Sequence, residues 1–348
     1  MYKLKQISDC NLKELDNFIG NKISNFGQRI IISKNLKKNN LSFALFSGNK
    51  IMAFCPFFFE DLSLNKKKWK QGSLFELSLP SMIISNDIGD KEFRTIVSMI
   101  LDEIDKLGIK NSISNLKVCF SDVINFNLES KRFQILHRLL LKYKYLNISL
   151  TGNRIDLRND INIIIKSISK GHKAIINKTK YKILFYGNKD KKINFKDFQI
   201  LVNDLLDHEQ MVPLLYELYN NSFFEFCEIF DENTKVGYAG FCTINDTVEY
   251  FISRRINENI NSHHVMVYEA IKRYKNNKFS YLDLGVVSYG PQLHYLPSKK
   301  KLDISIFKRG FKGDNYPLVI FEKFYSKELF EKIQSERIKN FLNQHISI

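Results

Sequence analysis

The sequence predicts a mixed α/β (α+β) chain of two domains, each a mostly antiparallel central sheet flanked by helices, and three observations carry that reading. At 348 residues the chain is longer than one ordinary core, given about 100 to 200 residues per domain. Hydrophobic residues make up 44% and aromatics 13%, enough for two cores and too much for a disordered chain. The second half reads helix, helix, three antiparallel strands, helix, strand, loop, strand, helix, and the first half carries a fainter version of that order.

Taken from the start, Tyr2 to Ile7 reads as a strand and Asn11 to Ile19 as a helix opened by a polar cap. Leu41 to Phe46 and Ile51 to Phe59 form a hairpin about the tetrad Ser47-Gly48-Asn49-Lys50, turn residues between two apolar runs. A solvated LNKKKWK segment and an extended stretch from Leu74 to Ile84 follow. Helices are expected at Lys91 to Leu107 and Ser130 to Lys142, with a strand at Leu116 to Phe120 between them. Asn147 to Leu157 reads as a strand pair turning at Thr151-Gly152-Asn153, and Arg158-Asn159-Asp160 caps the next helix. The boundary is placed there, giving domains 1–160 and 161–348.

The second domain opens on a basic helical segment, Ser167 to Lys182, broken at Gly171. Helices follow at Phe195 to Leu205 and Glu209 to Asn220, then strands at Phe223 to Phe230, Val236 to Ile244 and Thr247 to Arg254, joined by Asp231-Glu232-Asn233 and Asn245-Asp246. Ser262 caps a helix to about Asn276. Two apolar strands, Tyr281 to Val287 and Leu318 to Tyr325, then enclose a loop of glycines, aromatics and cations, and a last helix spans Ser326 to Leu342.

A formal net charge of +16, from 53 Lys and Arg against 37 Asp and Glu, favours attraction to phosphates, tRNA or an anionic membrane surface. Lys, Asn and Ile are abundant throughout, and such drift accounts for the charge equally well. Charge alone names no partner. Five cysteines, Cys10, Cys55, Cys119, Cys227 and Cys242, give neither a disulfide framework nor a CxxC site, which fits a reducing, cytoplasmic setting. The N-terminus lacks the apolar core of a signal peptide, and the longest apolar run, Ile51 to Phe59, falls well short of the roughly 20 residues that span a bilayer.

Several chemistries lack their residues. The chain holds no GxGxxG after a strand, no GxxxxGK[ST], no HExxH, no GxSxG elbow and no Cys/His set at zinc spacing, so no metal is expected. The adjacent pair His263-His264 diverges by about 100° on a helix and reads as a polar first turn. Cys227 and Cys242 lie in strand-like runs and read as packing. What remains is direct acyl transfer, in which an amine attacks a bound thioester or ester. Flexible backbone at Gly285, Gly310 and Gly313 and the charges of Lys308 and Arg309 suit an anion or oxyanion site. Asp283, His264 and Glu249 are the candidates to take the amine's proton. The plainer reading of Phe307 and Phe311, four residues apart, is a core pair on a helical turn.

The loop and its strands also carry a family resemblance. The run DLG at Asp283 to Gly285, Ile304, and FKRGFKG at Phe307 to Gly313 resemble the D-F-G-G and F-K-x-G-F-G-G patterns of the Fem-type (FemABX-like) transferases of the GNAT superfamily. The segment Ser167 to Lys182 is similar to the S-x-S-K-x-x-R-x-x-I-x-K-x-x-K stretch that opens that family's second domain, and Gly237 to Gly240, Tyr250 and the helix after Ser262 fall in matching order. Val286 and Lys312 stand where the family has glycines, and His172 near where it often has arginine. The helical arm of some tRNA-using members and the Q/R-x-x-G-x-G/A loop of ordinary CoA-dependent members are both absent.

The resemblance implies two tandem GNAT-like domains that transfer an acyl or aminoacyl group to an amine. It gives Lys308 the task of stabilising the transferring group, with Phe307 beside it and Asp283 in the site. It implies that Lys170, Lys173 and Arg309 hold phosphates, and that Gly285, Tyr250, His264, Gly310 and Gly313 line the substrate. The donor stays open between acyl-CoA and aminoacyl-tRNA. The acceptor implied is a nucleotide- or lipid-linked envelope precursor, a peptidoglycan intermediate or polysaccharide amino sugar, met in the cytoplasm or at the inner face of the membrane through peripheral contact, with no DNA partner. Two other readings stand beside it: a non-catalytic tRNA-binding protein, and a degenerate transferase in polysaccharide assembly.

Overall fold

A computed structural model describes residues 2–22, 39–64, 67–73, 82–120, 130–187, 193–203, 212–256 and 261–345. Those residues fold as two compact units: residues 1–150 with 290–297 and 317–348, and residues 151–289 with 298–316.

In the first unit, β1 (Tyr2–Gln6) leads through α1 (Leu12–Lys22) to β2 (Asn39–Asn40), β3 (Phe43–Ser47) and β4 (Lys50–Cys55). β5 (Phe58–Leu64), β6 (Lys67–Ser73) and β7 (Ile83–Ile84) follow. The β3–β4 hairpin forms as its turn residues dictate, with Gly48 at φ +58°. Lys67 to Lys70 of the LNKKKWK run, expected as a solvated segment, open β6 instead, where Trp69 is buried between lysines. Helix α2 (Asp90–Lys110) buries Phe93, Ile96, Val97, Ile100, Leu101 and Ile104, the one-sided stripe of a 3.6-residue period. After β8 (Asn115–Phe120), helix α3 (Lys131–Lys142) is capped by Ser130, whose side chain accepts from Phe133 N. A short β9 (Leu146–Asn147) closes this stretch.

The second unit begins with β10 (Leu150–Asp156), a continuous strand where a turning pair was expected. Gly152 sits inside it because the Tyr316 ring packs 2.3 Å from where a Cβ would lie. Asp160 caps α4 (Ile161–Ser167), and Ser169 caps α5 (Lys170–Lys178), so the basic segment breaks at Ile168-Ser169 and Gly171 lies inside α5. β11 (Lys182–Tyr186), α6 (Phe195–Asn203) and α7 (Val212–Asn220) come next; the helix ends expected at Leu205 and Glu209 lie outside the described residues. β12 (Phe224–Asp231), β13 (Thr234–Ile244) and β14 (Thr247–Arg255) form two hairpins with Glu232 and Asn245 at positive φ.

Helix α8 (Ser262–Asn276) crosses to β15 (Tyr281–Val287), which is parallel to β14. The sheet runs β11-β12-β13-β14-β15-β10. Its core joins Ile155, Cys227, Ile229, Phe241, Val248 and Leu282 to Met266, Ala270 and Tyr274 of α8.

The expected loop contains a helix, α9 (Lys299–Arg309), capped by Ser298, and β16 (Asp314–Phe324) starts four residues before the strand read from the sequence. β16 opens in the second unit and continues in the first, where Val319 to Phe324 pair with β8 and α10 (Lys327–His345) follows. The division thus falls at residue 150, with the tail from Pro317 returning to the first unit. Among the described residues no helix is long and apolar enough to cross a membrane.

Candidate functional site

β14 and β15 pair at three positions only: Thr247 with Tyr281, Val248 with Leu282, and Glu249 with Asp283. Immediately beyond, each strand carries an extra residue. Phe251 is unmatched between the pairs Phe241–Tyr250 and Gly240–Ile252, and Leu284 between Arg154–Asp283 and Asn153–Gly285. A bulge bends its strand and raises its twist, so two bulges at one level drive the strands apart. The result is a fork with Glu249 and Asp283 at its foot.

Directly paired residues share a face of the sheet, so Cys242, Glu249, Asp283 and Arg154 form one row across β13, β14, β15 and β10. Asp283 is 4% exposed. Its Oδ1 accepts from Gly285 N at 2.7 Å, an Asx turn that fixes the bulge, and its Oδ2 accepts from the Tyr316 hydroxyl at 2.6 Å. Burial pushes the Asp283 carboxyl up, against the pull of Tyr316, the Gly285 N–H, Lys308 and Arg154. The Arg154 guanidinium stacks on Tyr281 and Tyr316, 4.5 and 5.1 Å from their centroids. Burial next to this carboxylate holds the Tyr316 phenol far above its ordinary range.

Lys308 reaches the fork from the last turn of α9. Its Nζ donates to Val286 O at 3.1 Å and lies 3.5 Å from where a Cβ on Gly285 would stand. Gly285 has φ +74°, a backbone conformation that favours glycine. Burial lowers the ammonium's pKa while Asp283 and Glu249 raise it. α9 is fastened to β15 by a second polar contact, because Ser305 Oγ accepts from Ser288 N at 2.9 Å and donates to Lys301 O at 2.7 Å.

The other residues read from the sequence are placed differently. Phe307 packs edge-on against His264 and Phe311, at 4.9 and 5.4 Å, and stacks on His172 at 5.9 Å. Phe311 is fully buried, so the core-pair reading of these phenylalanines holds. His172 Nε2 donates to Phe307 O at 2.8 Å, and its ring stands 2.1 Å from where a Gly310 Cβ would be. Gly310 therefore makes room for a side chain and not for a ligand. Gly313 makes room for backbone, since its Cβ would meet Arg154 O at 2.6 Å.

Tyr250 alternates with Glu249 onto the opposite face and packs on Phe241, with centroids 5.7 Å apart. His264, in the first turn of α8, is pushed down to about 4 by burial and by His172. Lys170 is exposed at the start of α5, and Lys173 Nζ donates to Lys166 O at 3.1 Å. Arg309 Nε donates to Ser305 O at 3.2 Å.

The fork thus gathers Lys308, Asp283, Gly285 and Glu249 and adds two residues that sequence reasoning missed, Tyr316 and Arg154. The one available signal, for Tyr316, was Gly152, an isolated glycine inside a strand, which marks close approach of another group. Cys227 and Cys242 are buried and their thiols pushed up by burial, which is packing and not nucleophile chemistry. Among the described residues no group of three or more His, Cys, Asp or Glu is placed to hold a metal ion.

Neither a family model nor a curated protein matches the chain in sequence. Solved structures do match in shape. The structure of FemX aligns with a TM-score of 0.64 at 9% identity, over 95% of this chain and 100% of that one. A tandem GNAT protein from the clavulanic acid biosynthesis pathway aligns at 0.56 and 9% identity, over 93% and 98%. L-PGS from Bacillus licheniformis aligns at 0.54 and 10% identity, over 97% and 96%. The parted parallel strands and the full-length alignments together assign this chain the Fem-like fold of two tandem GNAT units.

Proposed function

We propose that the protein forms an amide by N-acyl or aminoacyl transfer to an amino group of a cell-envelope precursor, either a peptidoglycan intermediate or a surface-polysaccharide amino sugar. The observation that carries this reading is the fork: two parallel strands that part beyond Glu249 and Asp283, with Lys308 at the point of parting. A thioester or ester entering between them brings its carbonyl to that cation. The attacking amine nitrogen bonds to the carbonyl carbon, the carbonyl electrons move onto oxygen, and Lys308 stabilises the oxyanion. Glu249, the carboxylate next to Asp283 in the row, takes the amine's proton. The C–S or C–O bond then breaks, and the leaving thiolate or alkoxide takes up a proton. Asp283, with both oxygens engaged, is a positioning residue that keeps the bulge and the charge of Lys308.

The donor is acyl-CoA or aminoacyl-tRNA, the two classes that the resemblance of the Asp283 to Gly313 stretch implies. The reaction belongs in the cytoplasm, or at the inner face of the membrane when the acceptor is lipid-linked. Thermal unfolding with a panel of acyl-CoAs, and separately with bulk tRNA at two salt concentrations, tests the donor. A ligand at about 100 times its dissociation constant adds about 2.7 kcal/mol, a shift of several degrees. With the donor in hand, Lys308→Ala lowers the amide-forming rate about 100-fold or more when both proteins are assayed well below their unfolding midpoints. An unchanged rate removes Lys308 from the mechanism, and no shift with either donor class removes the transfer reading.

A further inference from the structure

The first turn of α5 grips the last turn of α9 at two carbonyls. His172 Nε2 donates to Phe307 O at 2.8 Å, and Ser169 N donates to Gly310 O at 2.9 Å. Lys308 lies between those carbonyls in the chain. The last carbonyls of a helix lack the amide that would follow four residues on, so they take other donors or tighten into 3-10 turns. α9 does both. Gly310 N reaches Phe307 O, and Phe311 N reaches Lys308 O, each at 3.2 Å, and the imidazole and the Ser169 amide add the two shorter bonds.

The gripping groups are themselves fixed. Ser169 Oγ caps α5 by accepting from His172 N at 3.4 Å, which ties both grips into one turn. The His172 ring is boxed by His264 of α8 at 4.4 Å, by Phe311 at 4.9 Å and by Phe307 at 5.9 Å. It fills the room that the missing Cβ of Gly310 leaves. His172 is also one of this chain's departures from the Fem-type pattern. At its other end Lys308 is held by Nζ, which donates to Val286 O at 3.1 Å. A lysine stem is flexible, so one bond at its tip places the ammonium only while the backbone beneath it stays in place.

We infer that His172 is a positioning residue for Lys308: together with Ser169 it clamps the end of α9, so that the ammonium is presented where β14 and β15 part. This deepens the transfer reading and rests on it for its effect on rate. The clamp itself is independent of any substrate.

The test is an NMR titration of Lys308 in the full chain labelled with 13Cε-lysine, the signal being assigned by its loss in Lys308→Arg. Burial holds this ammonium below the ordinary lysine value of about 10.4, and an ammonium released to water returns toward that value. His172→Leu fills the room without a donor, whereas His172→Gln keeps an N–H to offer Phe307 O. The midpoint is expected to rise by about half a pH unit or more in His172→Leu and to stay within about 0.2 of wild type in His172→Gln. Ser169→Pro removes the second donor at a site whose φ of −57°, after Ile168 at ψ 138°, suits proline, and the same rise is expected. It serves also where His172→Leu fails to fold. A midpoint unchanged in both His172→Leu and Ser169→Pro overturns the clamp, as does an equal rise in His172→Gln and His172→Leu. With donor and acceptor in hand, His172→Leu lowers kcat about tenfold or more, leaves KM within about threefold, and is rescued by glutamine at the same position. The expected titrations without any transfer by the wild type keep the clamp and sink the transfer reading. Transfer by the wild type with an unresponsive Lys308 midpoint does the reverse.

Discussion

Gly310 has no side chain because the His172 ring occupies that space, 2.1 Å from any Cβ. Gly310→Ala therefore forces the ring away from Phe307 and Phe311, and a cost of about 1 to 3 kcal/mol is expected for such overpacking. Denaturant titration checks it, and the double variant with His172→Ala should recover part of the loss; equal losses in both would mean that the crowding lies elsewhere. His263 and His264 are both pushed down to about 4, chiefly by burial, with Arg255 adding to each. An unfolded histidine titrates near about 6.5, so between these values the unfolded chain binds more protons than the folded one. Stability is complete above about 6.5 and falls as pH drops toward about 4. Thermal unfolding across that window should show a falling midpoint, and His263→Gln should flatten the fall; a parallel curve would assign it to other groups. These roles were not legible in the sequence. Gly310 was read as flexible backbone beside Lys308, and His264 as a candidate to take the amine's proton, whereas both belong to one packed cluster joining α5, α8 and α9.

The helix that carries Lys308 is the element the sequence concealed most completely. A buried helix is recognised by a periodic apolar stripe, but in α9 the fully buried residue is Ser305, and Ile304 and Ile306 are exposed. It is held instead by polar contacts to the end of β15, Ser305 to Ser288 N and Lys308 to Val286 O. Ser305→Ala leaves a buried N–H without its acceptor, at about 1 to 3 kcal/mol. Hydrogen exchange should then quicken in residues 299–309 ahead of the rest of the second unit; uniform quickening would mean that α9 is not held separately. Hairpins were read well, because Asn245-Asp246 and Ser47 to Lys50 state their turns locally. Strands that carry their cue in a distant partner were not. β10 was split at Gly152 because its reason, the Tyr316 ring, lies on β16. The order of elements around the fork was read, but its bulges were not, since an unmatched residue exists only once two strands are in register.

At the scale of the molecule, the two units were anticipated and the path between them was not. Residues 317–345 return to the first unit, where Glu322, 1% exposed, accepts two hydrogen bonds from Arg337 of α10. Lys323 donates to Asp105 of α2 at 2.5 and 2.6 Å, and Tyr325 to the same carboxylate at 2.8 Å. Arg337→Ala strands a buried carboxylate, and a loss of about 3 to 5 kcal/mol is expected. Chemical denaturation reads it, and a loss under about 1 kcal/mol would show that water reaches Glu322. The same return path reverses the usual order of biosynthesis, in which the N-terminal part of a chain folds first. Until Val319 to Phe324 have left the ribosome, β8 lacks its antiparallel neighbour and keeps an open hydrogen-bonding edge. The stretch made first is thus the one completed last, since every residue of the second unit, 151–289 and 298–316, is made before the strand that covers that edge.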